Sequence, residues 1–275
     1  MRDSAHGGFS RFTTDEEDMP IPYDGYRRFE LRPSTEKSLE RFGRKGKTIV
    51  IYGVPHFADK TFYETVTEMI HEDSQALGSD NGAEHVVHVE GVSPCPDGES
   101  WDFSHVKQRV CEITGLVPQD ELFDEIDDYE VVDISWEELS RWAKKKVDHD
   151  IRRLSDVVAK ISTMSPDERL YASMMLKKRI LKEPSQKRWS VAASLIPGVR
   201  QMMRGRSRFA AKYADLDPRN VSMVWGGAHV EDMVKYLRRR GYRIHSNQKI
   251  MSKQERDNYL LRHRIGVPKD NAEQM

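Results

Sequence analysis

Along residues 220–244 the chain reads NVSMVWGGAHVEDMVKYLRRRGYRI, and the spacing of its apolar positions changes once. Val221, Met223 and Trp225 alternate with their neighbours, the two-residue period of a strand. After Gly226 and Gly227 the apolar residues Val230, Met233, Val234 and Leu237 recur at the three- and four-residue spacing of one helix face. The pattern predicts a strand, a glycine turn and a helix. Arg238, Arg239 and Arg240 suit a helix carboxyl end, and Gly241 can take the left-handed closing conformation before a further strand from Tyr242. His229 falls at the turn. A residue held where a parallel strand gives way to its helix lies at the carboxyl edge of the sheet, where open α/β folds place their ligands.

Residues 48–70 repeat this construction. An apolar, β-branched run over 48–52 is broken by Gly53, and His56 follows three residues later, as His229 follows Gly226. The next helix places Phe62, Val66, Met69 and Ile70 on one face and ends near Gly78. Gly53, Gly226 and Gly227 are expected to turn the backbone sharply and present amides to a substrate, each histidine emerging beside a helix start. Val86, Val87 and Val89 predict another strand tipped by Glu90, an acidic residue costly to bury unless paired or bound to a cation. His88 shares the face of Glu90, and its simplest reading is a hydrogen-bonded interior histidine rather than a ligand. A short strand over 129–134 carries Asp133, a candidate to support the site.

The middle of the chain predicts two long charged helices, roughly 136–162 and 166–182. Capping boxes start them at Ser135 with Glu138 and at Ser165 with Glu168, and Pro166 opens the second. Leu170, Met174 and Leu181 are expected to form a buried stripe on that second helix. Charge, Gly, Pro and Ser over 1–45, with acidic residues at 15–18, suggest a mobile arm, and 251–275 a short helix from Ser252 and Glu255 with a polar tail. The expected organisation is α/β: a domain over 46–250 with a mostly parallel central sheet and flanking helices. An inserted helical cap occupies about 135–215.

Hydrophobic residues make up 37% of the 275, enough for one large core of a globular protein. The net charge of -1 excludes a globally basic binder. Positive charge gathers locally, at Lys177, Lys178, Arg179, Lys182, Lys187, Arg188, Arg200, Arg204, Arg206 and Arg208. No aromatic stacking pattern is interleaved with it, so a solvated face is the reading over nucleic acid. No apolar run suggests a signal segment or a bilayer crossing, which leads to an expected cytoplasmic location without a membrane partner. Cys95 and Cys111, without CxxC spacing, are expected to be free thiols.

Gly53-Val54-Pro55-His56, Glu90 closing a strand, RSRFAA at 206–211 and Gly226-Gly227-Ala228-His229 before VEDMVKYLRRRGY together resemble the TraB, GumN and Tiki group. That group belongs with the erythromycin-esterase and ChaN-like proteins. The resemblance covers about residues 47–245 and is most specific at the last motif. Ser207 stands where the family has Asp or Asn, and Gly91 follows Glu90 where a leucine is common. The resemblance implies a mostly parallel sheet with its site at the carboxyl edge. Among relatives it brings metal-dependent proteases, histidine-assisted lactone hydrolysis and haem binding, and fold alone does not choose among these.

The candidate catalytic residues are therefore His56, Glu90, Arg206 and His229. Two neutral imidazoles and a carboxylate, His56, His229 and Glu90, are also a donor set for manganese, cobalt or zinc, which would supply hydroxide at neutral pH. Without metal, a histidine would act as base, with Glu90 fixing its tautomer. Arg206, rather than Arg204 or Arg208, is expected to reach the site along a packed face of Phe209, Ala210 and Tyr213, as a substrate anchor or as a structural partner of Glu90 or Asp133. The expected function is hydrolysis of a peptide, ester or amide bond. The alternatives are a non-catalytic module that holds a peptide or small ligand, and a nucleic-acid-associated protein using the basic stretch.

Overall fold

In a computed structural model that describes residues 26–34, 47–79, 84–91, 103–126, 128–134, 141–181 and 197–251, strands and helices alternate along most of the chain. The elements are β1 (Arg27–Pro33), β2 (Ile49–Val54), β3 (Phe57–Ala58), α1 (Lys60–Ser79), β4 (His85–Val89), α2 (Phe103–Thr114), β5 (Val117–Pro118) and α3 (Asp120–Phe123). They continue with β6 (Tyr129–Val131), α4 (Arg141–Ser162), α5 (Pro166–Leu181), α6 (Pro197–Leu216), β7 (Asn220–Gly226), α7 (Gly227–Arg239) and β8 (Tyr242–Lys249). Six strands form one sheet in the order β6-β4-β7-β2-β1-β8, while β3 and β5 pair separately. β6, β4, β7 and β2 run parallel to one another, and β1 is antiparallel to both β2 and β8. The result is a mostly parallel sheet flanked by helices.

β2 and β7 are buried at every position, as central parallel strands covered on both faces should be. Ile49, Ile51, Val221, Met223 and Trp225 face Ala210, Ala211 and Ala214 of α6 and Val230, Met233, Val234 and Leu237 of α7. Val50, Tyr52, Val54, Val87, Val89 and Val224 face Phe62, Val66, Ile70 and Leu77 of α1. The two faces follow directly from the two-residue alternation of the strands. The chain turn after α7 occurs at Gly241, with φ of 93°.

Three expectations are corrected. The arm expected over 1–45 contains β1, an interior strand pairing Phe29 with both Ile51 and Asn247. Its composition conceals this because every second residue is charged. Phe29 and Leu31 enter the core, while on the other face Arg28 donates to Asp73 of α1 at 2.8 Å and Arg32 to Glu30 at 2.8 Å. Second, Leu170 and Met174 are exposed and α5 has no buried residue, so its apolar stripe is not core. α5 is held instead by polar contacts: Ser173 to the Ile113 carbonyl and Lys177 Nζ to Asp59 at 2.7 Å. Third, Gly53 does not break its strand: β2 runs through it to Val54, and β7 runs to Gly226 before the turn into α7.

The box at Ser165 forms, with Glu168 reaching back to the Ser165 amide at 3.1 Å. Those at Ser135 and Ser252 lie outside the described residues, as do Cys95, Lys182, Lys187 and Arg188. Cys111 is a free, half-buried thiol. Among the described residues no helix is long and apolar enough to cross a membrane.

Candidate functional site

Three strand ends meet above Gly226. Glu90 follows β4, His56 follows β2 after Pro55, and His229 lies in the first turn of α7. The Gly226 amide donates to Glu90 Oε2 at 2.6 Å, setting the carboxylate at the start of α7, where the helix dipole favours negative charge. A methyl group on Gly226 would stand 2.9 Å from that oxygen and 3.2 and 3.3 Å from Cε1 and Nε2 of His56. The glycine is thus required for space, because His56 and Glu90 both lie against the side of it that a Cβ would occupy. On the other side of the carboxylate, His229 Nε2 is 3.4 Å from Glu90 Oε1. Gly53 serves a different close approach: a methyl there would meet Val230 Cγ2 at 2.8 Å and Gly227 Cα at 3.6 Å, so these glycines let β2 pack against the opening turn of α7.

Each histidine is fixed through Nδ1, and by residues other than Glu90. His56 Nδ1 donates to Gln119 Oε1 at 3.0 Å, and the Gln119 amide donates back to the His56 carbonyl at 2.9 Å. Ser207 Oγ lies 2.8 Å from both the Met203 carbonyl oxygen and His229 Nδ1 and so ties the ring to α6. The hydrogen on His56 Nδ1 leaves its Nε2 to the site, while His229 turns Nε2 to Glu90. His56 is exposed, whereas His229 is buried beneath it. Sequence reading overlooked both anchors. Ser207 had a signal, as the polar residue beside Arg206 on the helix that resembles the family motif; Gln119, 63 positions from its histidine, had none.

Arg206 comes to the site and is held there. Nη2 donates to Glu90 Oε1 at 2.9 Å and to Asp133 Oδ2, Nε donates to Asp133 Oδ1 at 3.0 Å, and the guanidinium lies over Trp225, 5.8 Å from the ring centroid. The packed face of α6 is Ser207, Ala210, Ala211 and Ala214; Phe209 and Tyr213, expected on it, are exposed. Alanines at three of these positions let the helix lie close to the sheet, which brings the short Ser207 and the long Arg206 within reach of the strand ends. Arg204 points to Asp232 and Arg208 is exposed. Burial acts to raise the Glu90 pKa, but the charge interaction and hydrogen bond with His229, together with His56 and Arg206, outweigh it and hold this carboxyl well below the usual range.

The three donors suit a divalent ion chemically, yet both Glu90 oxygens are already engaged, Oε1 by Arg206 and Oε2 by the Gly226 amide. Among the described residues, the three potential ligands whose atoms fall within 4.8 Å of one another are His88, Glu130 and Asp217, which could hold a metal ion. His88 was expected to be a hydrogen-bonded interior residue. It is fully buried, but neither ring nitrogen has a hydrogen-bond partner among the described residues. Comparison with known protein families, with curated proteins and with solved structures finds no match to this chain.

Proposed function

We propose that the carboxyl-edge site is that of a hydrolase acting on a peptide, ester or amide carbonyl, with His56 as the base. The observation that carries this reading is an exposed imidazole whose Nδ1 is committed to Gln119 and whose Nε2 lies, with a buried carboxylate, against the open side of Gly226. Nε2 takes a proton from water as the oxygen adds to the carbonyl carbon; the charged Glu90 stabilises the imidazolium formed. The same proton then passes to the leaving group as the tetrahedral intermediate collapses. Arg206 supplies fixed positive charge beside the developing oxyanion, and such preorganised charge acts most strongly in a water-poor site. His229, held by Ser207, keeps a second Nε2 toward Glu90 and the substrate.

In this reading Glu90, held by Arg206 and the Gly226 amide, serves as the charged partner of the imidazole, which is the histidine-assisted route of the esterases. The parallel sheet and edge site are in keeping with an erythromycin-esterase-like and TraB-like fold. The local pairing of Lys177 with Asp59 and of Arg206 with Glu90 and Asp133 removes two cations from the basic stretch, which weakens the nucleic-acid reading.

The test is hydrolysis of a panel of activated esters, lactones and short peptides in metal-free buffer. His56→Ala should lower kcat/KM by about 10²–10⁴-fold, the usual worth of a general base, without unfolding an exposed site. Binding of panel members without turnover would make this a ligand-holding module, and turnover unaffected by His56→Ala would place the chemistry elsewhere.

A further inference from the structure

Below the edge site, on the same face of β4, lies a second cluster that the hydrolase reading does not use. We infer that His88, Glu130 and Asp217 form a binding site for one divalent transition ion of the zinc class, tying edge strand β6 to β4 and to the segment that leads into β7.

The register creates the cluster. His88 is paired with Glu130 across β4 and β6, so their side chains share a face, and Asp217 arrives at the end of α6. His88 Nε2 is 3.3 Å from Asp217 Oδ2 and 3.7 Å from Glu130 Oε2. A tetrahedral ion with bonds of about 2.0–2.2 Å holds neighbouring ligand atoms about 3.4 Å apart, so these separations are those of a first coordination sphere.

His88 provides the independent sign of a ligand. It is 0% exposed, its nitrogens make no hydrogen bond, and Nε2 is aimed between two carboxylates. An unpaired polar group at that depth is costly, and a bound ion would satisfy it. The Tyr213 ring packs edge-on against the imidazole at 5.3 Å and holds its orientation.

Arg219 occupies the outer side of the cluster. Nη2 donates to Glu130 Oε1 at 2.7 Å and to Asp217 Oδ2 at 2.8 Å, and Nε donates to Asp217 Oδ1 at 3.0 Å. These bonds orient the carboxylates as supporting hydrogen bonds do in metal sites; Glu130 Oε2 is left toward His88, and Asp217 Oδ2 would be shared between Arg219 and the ion. One guanidinium against two carboxylates leaves a negative charge for a cation to neutralise. The Glu130 side chain is 40% exposed while those of His88 and Asp217 are 0% and 4%, so an ion would enter past Glu130.

The experiment titrates chelator-stripped full-length protein at neutral pH with zinc(II), read by calorimetry, and with cobalt(II), read by its visible absorption. Wild type should bind an ion, and His88→Gln and Asp217→Asn should each lose it or weaken it by roughly a hundredfold or more. Glu130→Gln, at a partly exposed position, provides the same reading if His88→Gln fails to fold. The ion should survive His56→Ala and His229→Ala, which separates this site from the edge site. Equal binding by wild type and the Glu130 and Asp217 variants, or no binding by wild type, overturns the proposal and leaves Arg219 as the only cation of the cluster.

Discussion

Ser207 Oγ lies 2.8 Å from His229 Nδ1 and 2.8 Å from the Met203 carbonyl oxygen, so a serine within α6 holds the ring of a histidine in α7. Ser207→Ala should leave Nδ1 buried and unpaired, at a cost of about 1–3 kcal/mol. Proton–nitrogen NMR should show the His229 ring redistributing between tautomers, with turnover falling together with it. Ser207→Asn, whose side-chain amide can bond the same nitrogen, should preserve both. An unchanged tautomer in Ser207→Ala would mean that the ring is held by packing alone.

Gly226→Ala should disable the edge site, because the added methyl would press on both Glu90 Oε2 and the His56 ring. Gly205→Ala is the matched control: nothing lies within 4 Å of a methyl there, and an alanine inside α6 should stabilise by about 0.5–1 kcal/mol. Crystal structures and melting temperatures of the two variants check this. Undisturbed positions of His56 and Glu90 in Gly226→Ala would refute the space argument.

Arg206 joins two buried carboxylates, so Arg206→Met should cost about 3–5 kcal/mol by stranding Glu90 and Asp133. Adding Asp133→Asn to it should cost less than the sum of the two single changes, as expected for residues in one network. Arg206→Lys separates scaffold from chemistry. A lysine cannot reproduce the forked contacts, and a loss of turnover beyond any change in melting temperature assigns the guanidinium to the reaction.

Acid should weaken the attachment of β1 through Glu30. Burial acts to raise its pKa, but the hydrogen bond and charge of Arg32, with Arg28 and Ser246, outweigh burial and hold it below its ordinary 4.5. The folded state therefore binds fewer protons than the unfolded one just below that pH. The stabilisation is complete above about pH 4.5 and is lost as pH falls through the lower folded value. Urea midpoints of Glu30→Gln should fall less between neutral pH and pH 3 than those of wild type. Parallel curves would show that Glu30 contributes nothing to the acid limb.

Much of this arrangement was readable one segment at a time. The change of period at Gly226 marks β7 and α7, the run before Gly53 marks β2, and Glu90 lies just past its strand, because alternation and helical spacing are properties of neighbouring residues. Where charge alternates with Phe29 and Leu31, composition pointed to an arm, and only pairing on both sides makes β1 a strand. The stripe on α5 failed for the converse reason: helical spacing says which residues share a face, not whether anything covers it.

The candidate chemistry divides along the same line. His56, Glu90 and His229 were identifiable from their positions at strand ends, and a parallel sheet brings such ends to one edge. The partners that define their states, Gln119 and Ser207, and the grouping of His88 with Glu130 and Asp217, depend on side chains meeting across elements far apart in the chain. Sequence by itself therefore determined the elements and the type of residue at each strand tip, since both follow from local spacing. The tertiary structure alone decided which nitrogen is bound, which carboxylate is occupied by an arginine, and which buried histidine is left without a partner, because strand register and helix packing place those atoms.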